Sequence, residues 1–78
     1  MDPRLAQAIA STFRMPFASV NETASQTSVP GWDSLGHLNL VAALEKAFGI
    51  SLTMDEILGM QDVSAISRIL VSKGVLAP

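Results

Sequence analysis

Three blocks of apolar residues in this chain recur at three- and four-residue spacing, and proline or glycine closes each one. That period belongs to the α-helix and puts the apolar residues of a block on one side, so the chain is committed to packing helices against helices. Leu5, Ile9 and Phe13 make the first block, with Ala6 and Thr12 beside them. Asp2 and Pro3 precede it as cap and first-turn proline, and Pro16 stops it. The second helix opens at Asp33 or Ser34 and ends at Phe48 before Gly49, with Leu40, Leu44 and Phe48 facing the core beside Val41 and Ala47. Thr53 and Glu56 read as a capping box that starts a short helix ending near Gly59. Asp62 caps a last helix bearing Val63, Ile66, Ile69 and Leu70, which stops at Gly74. Residues 50–52 are too few for a strand. The reading is all-α: a small four-helix bundle of three longer helices and one short helix, with a long first loop.

Seventy-eight residues make one domain, 1–78, in which nearly every large apolar side chain has to join the core. With 49% hydrophobic and 15% charged residues, the composition excludes a disordered tail. No cysteine is present, so disulfides, thiolate nucleophiles and zinc–thiolate sites are excluded together. A net charge of −2 argues against a nucleic-acid partner, which calls for a basic face. The longest apolar run, residues 40–44, is far below the ~20 needed to span a bilayer. No signal-type run opens the chain, and the expected location is the cytoplasm.

Residues 16–32 break the helical pattern with Asn21, Thr23, Ser25, Thr27, Ser28, Pro30 and Gly31, while Phe17, Val20, Val29 and Trp32 pin them to the core. Loops of more than about 12–15 residues are usually functional, and this one leads straight into the second helix. Catalysis has no support there. A Ser–His–Asp set would crowd Ser34, His37 and Asp33 onto one turn with no oxyanion loop, and one histidine with scattered carboxylates has no metal-ligand spacing. No catalytic and no metal-binding residues are assigned, and the chain is read as a non-enzyme.

What remains is Gly31-Trp32-Asp33-Ser34-Leu35, a serine at a helix start. Asp33-Ser34-Leu35 after a long loop resembles the attachment motif of acyl carrier proteins. Leu40, Leu44, Glu45 and Phe48, followed by Gly49-Ile50, are similar to the family's Leu-xxx-Leu-Glu-xx-Phe pattern, and the resemblance covers essentially the whole chain. It implies that a phosphopantetheinyl transferase, using Mg²⁺, moves 4′-phosphopantetheine from coenzyme A onto Ser34. Asp33 would meet the transferase and its metal, with Leu35 beside it. The phosphodiester would suit a helix N-terminus, where free N–H groups and the positive dipole end favour an anion. The arm's thiol would carry an acyl, hydroxyacyl or aminoacyl group as a thioester, sheltered among Leu40, Leu44, Phe48 and Ile57 or riding outside.

Housekeeping carriers of fatty-acid synthesis are strongly acidic along the second helix, whereas here Gly36, Asn39, Lys46 and Ala47 stand where carboxylates are often found. The sequence is more similar to discrete, pathway-specific carriers, of specialised acyl or polyketide type. Loading and acyl-transfer enzymes are the expected partners of a monomer. They would dock on Leu35, Leu38, Glu45, Asp55 and Glu56, because Leu35 and Leu38 leave the core side near Ser34 and Asp55, Glu56 and Asp62 form the denser acidic patch. Trp32 is read as a loop anchor in the core, and His37, one turn beyond Ser34, as a partly exposed helix residue. The rival reading is a small helical protein-interaction domain without a prosthetic group. A helix-turn-helix regulator would need a short turn and a basic recognition helix, and the chain has neither.

Overall fold

A computed structural model describes residues 1–78. Helix α1 spans Pro3–Phe13, α2 Ser34–Phe48, α3 Met54–Gly59 and α4 Val63–Ser72, and a single 3-10 turn at Phe17–Ser19 is the one further helical element. Strands are absent apart from an isolated antiparallel bridge between Ser25 and Asp62. No helix is long and apolar enough to cross a membrane.

Each helix begins at a side chain that takes up an unpaired backbone N–H of its first turn. Asp2 accepts from the Arg4 N–H, Asp33 from Gly36 and Asp62 from Ala65. Thr53 and Glu56 form the reciprocal capping box of α3. Helix α1 stops where Arg14 turns left-handed, two residues before Pro16, and α2 stops at Gly49.

Helices α1 and α2 lie antiparallel. The α1 start meets the α2 end, where the Arg4 guanidinium lies 4.6 Å over the Phe48 ring and donates to the Val75 carbonyl. The α1 end meets the α2 start, where Phe13 stacks on Trp32 with centroids 5.2 Å apart. The core runs between these ends through Leu5, Ile9, Leu40, Leu44, Val63, Ile66 and Leu70. Leu40, Leu44 and Phe48 are buried as their spacing predicts, whereas Ala47 is exposed. Met60, just beyond α3, is fully buried although no periodic pattern includes it. The long loop is pinned to the α3–α4 connection by two backbone hydrogen bonds, Val63 N–H to the Ala24 carbonyl and Gln26 N–H to the Gln61 carbonyl. Trp32 is buried, as a loop anchor should be, and its position fixes where α2 begins.

Candidate functional site

Ser34 is the first helical residue of α2 and is exposed. The cap is the residue before it: Asp33 Oδ1 accepts the Gly36 N–H at 2.8 Å, and the Asp33 carbonyl accepts the His37 N–H at 2.7 Å. The Ser34 hydroxyl is thereby released from the capping duty that most serines at helix starts perform. The N–H groups of Ser34 and Leu35 have no carbonyl partner in the preceding turn, so donors and the positive end of the helix dipole sit at the serine.

A tight backbone approach fixes the loop behind it. Gly31 has φ +87°, a conformation suited to glycine, and its carbonyl lies against the first turn of α2. A side chain at position 36 would overlap that carbonyl oxygen, so Gly36 is what lets the loop close on the helix.

Beside Ser34 a groove of about 640 Å³ opens between α2 and α3. Trp32, His37 and Leu38 line one side and Met54, Ile57 and Leu58 the other, with Gln26 and Gln61 completing it. A serine-linked phosphodiester fits this arrangement: an exposed hydroxyl, unpaired N–H donors next to it and an adjoining groove for a flexible chain. A family model described as a phosphopantetheine attachment site matches residues 4–70. The chain belongs to that family. Its domains are sites of covalent 4′-phosphopantetheine attachment, and this carrier domain has the helical fold expected of them. Comparison with curated proteins finds no match.

The structure divides the other expected site residues. Leu38, 58% exposed, shares the groove at Ser34 with Met54 and Leu58, at 67% and 66%, whereas Leu35, 69% exposed, borders a separate hollow towards the end of α1. Met54 and Leu58 were not expected from the sequence, although their four-residue spacing on α3 marks one face. Asp55 is exposed on the same short helix. Glu56 is spoken for: Oε1 accepts the Thr53 N–H at 2.8 Å and pairs with Lys73 Nζ at 3.0 Å. The Thr53 N–H, and after it Lys73, hold its carboxyl below the ordinary glutamate range. Asp62 likewise serves the Ala65 N–H.

Glu45 stands apart from Ser34. It lies eleven residues along α2, about 16 Å of helical rise, and Oε2 accepts the Leu52 N–H at 2.8 Å where the chain folds back. Leu40, Leu44 and Phe48 do not line a pocket, since they are packed in the core and none of the surface cavities reaches them; of that set only Ile57 borders the groove. His37 is buried, not partly exposed. Its Nδ1 accepts the Trp32 indole N–H at 2.9 Å, and its Nε2 lies 2.7 Å from the Ile57 carbonyl oxygen. The signal was present in the sequence, because His37 extends the Leu40–Leu44–Phe48 side of α2 by one turn.

Proposed function

We propose that Ser34 is the residue to which 4′-phosphopantetheine is attached, and that the chain shuttles acyl, hydroxyacyl or aminoacyl groups between enzymes of a specialised biosynthetic pathway. A phosphopantetheinyl transferase would join the Ser34 oxygen to the pantetheine-side phosphorus of coenzyme A as the P–O bond of the pyrophosphate breaks, with adenosine 3′,5′-bisphosphate leaving and the hydroxyl proton passing to the transferase or to water. The single observation that carries the assignment is the division of labour at the helix start. Asp33 caps α2, so an exposed serine hydroxyl stands uncommitted at the first position. Ser34 is thus a substrate of the transferase and needs no base of its own.

When bound, the arm supplies the thiol that a chain without cysteine lacks and carries its cargo as a thioester. Ser34 and the Leu35 N–H would hold the phosphodiester, and Trp32, Leu38, Ile57 and Leu58 would flank the arm along the groove. The partner surface we assign is Leu35, Leu38, Met54 and Leu58, with Asp55 as its free carboxylate. Support for a specialised pathway lies in the charge left at this surface: α2 carries Asn39 and Lys46 where housekeeping carriers are acidic, and Glu56 is engaged within the chain. Partner enzymes would then read apolar area more than charge.

The test is the intact mass of the apo protein before and after incubation with coenzyme A and a phosphopantetheinyl transferase. One phosphopantetheinyl group should be gained by the wild type and none by Ser34→Ala. Gain of the group by the Ser34→Ala protein would place the attachment elsewhere.

A further inference from the structure

The only tryptophan and the only histidine of the chain are bonded to each other. An indole N–H can only donate, so His37 Nδ1 must accept and carries no proton. The ring is then the neutral tautomer with its proton on Nε2, which donates to the Ile57 carbonyl. That carbonyl stands in the last turn of α3, where it also accepts the Met60 N–H at 3.3 Å, so the imidazole takes its second lone pair.

The bond matters because α3 has little else to hold it toward α2. None of its six residues is buried, and it packs on α4, to which Glu56–Lys73 also ties it. The groove beside Ser34 separates it from α2, and His37 to Ile57 is the hydrogen bond that crosses. On the other side, Trp32 stacks on Phe13 and meets His37 edge to edge through its indole N–H, and it therefore belongs to the rigid α1–α2 unit.

We propose that His37 is a positioning residue: with Trp32 behind it, the neutral ring holds α3 at a fixed distance from Ser34 and so sets the groove and the docking face of the carrier. This rests on the reading of Ser34 as the attachment site. A second proton, on Nδ1, would set N–H against the indole N–H and break the chain of bonds at Trp32. The partners of the ring are all uncharged, with Gln26 Nε2 standing 3.4 Å from Nδ1. Asp33 is the one charged side chain lining the groove with it, and its Oδ1 is engaged by the Gly36 N–H. On the remaining elements around it, Asp55 is exposed, Glu56 is bonded to Thr53 and Lys73, Asp62 is bonded to Ala65, and Glu22 lines a different cavity.

Three readouts test the proposal, and the first two use the apo protein, so they do not depend on Ser34. Trp32 emission is compared between the wild type and His37→Phe at one neutral pH. The emission maximum should shift in His37→Phe, whose ring has no acceptor for the indole N–H, with far-UV circular dichroism unchanged. Amide exchange in α3 should quicken roughly tenfold in His37→Phe, the worth of one hydrogen bond, while α1 and α4 keep their protection. His37→Gln, whose amide can still donate toward Ile57, should restore much of it. Transferase kinetics on the intact carrier should then show KM for His37→Phe raised roughly tenfold with kcat nearly unchanged. An emission maximum equal in wild type and His37→Phe, or α3 exchange equal in the two, overturns the proposal. If the Ser34 assignment alone is wrong, Ser34→Ala will still be modified while emission and exchange behave as described.

Discussion

Replacing Gly36 with alanine sets two effects against each other with opposite signs. In an ordinary helix the change stabilises by up to about 1 kcal/mol, because alanine restricts the unfolded chain and glycine does not. Here a Cβ would overlap the Gly31 carbonyl oxygen and stand 3.1 Å from both the Gly31 carbonyl carbon and Phe13 Cε1. Backbone cannot swing aside as a side-chain tip can, and overpacking of this kind costs about 1–3 kcal/mol. The clash should win by roughly 1–2 kcal/mol, a Tm lower by about 5–15 °C in a domain of this size. Gly59→Ala is the control, since its Cβ would meet nothing nearer than Ile69 Cδ1 at 3.8 Å, and it should leave the Tm unchanged or higher. Urea and thermal unfolding of the two variants give the comparison directly. Because Gly31 lies three residues before Ser34, transferase turnover should also slow in Gly36→Ala. A Gly36→Ala protein as stable as the wild type would show that the loop does not lie on the helix as described. The same clash accounts for the missing carboxylate at this position, because aspartate would meet the carbonyl with its own Cβ.

Asp33→Ala should cost about 1 kcal/mol in urea unfolding, as the loss of a cap does, whereas Ser34→Ala should cost almost nothing despite abolishing modification. Leu38→Ala should slow thioester formation on the holo carrier by its loading enzyme, with only a modest salt dependence and an unchanged melt. Glu45→Ala should instead weaken the fold through loss of its bond to the Leu52 N–H and leave the loading rate alone. Acid should destabilise the domain through Asp2 and Glu56, whose carboxyls are held below their ordinary values chiefly by the Arg4 side chain and the Thr53 N–H. Groups depressed in the folded state stabilise it above their unfolded pKa values and lose that effect as pH falls through the folded ones. The urea midpoint should therefore hold down to about pH 4.5 and descend below it, less steeply in Glu56→Gln.

Local signals in the sequence locate the helix starts, because Asp2-Pro3, Thr53 with Glu56, and Asp62 act on backbone groups within four residues of themselves. The stripe of Leu40, Leu44 and Phe48 is equally local, since helical period alone brings it to one side. The proposal for Ser34 rests on its motif and its place at the helix start, both of them local. The groove walls are not, because they depend on where α3 settles after the chain folds back through Leu52 onto Glu45. Met60 is buried by the packing of α3 on α4 and has no periodic partner to announce it. Gly36 looks like a departure from an acidic pattern until the Gly31 carbonyl is seen against it. His37 sends two opposed signals, since it ranks on the buried side of α2 and yet stands one turn from an exposed serine.

Arg4 gathers the start of α1, the Phe48 ring and the Val75 carbonyl at one pole of the molecule. Ser34 lies at the other, about 20 Å away along α2. The α1 start and the segment after α4 thus share a handle. A bead, a coated surface or a flexible tether fixed to either would leave the reactive pole facing outward. Immobilised in that way, the carrier can turn about its anchor and offer Ser34 to one enzyme after another without its attachment standing in their path.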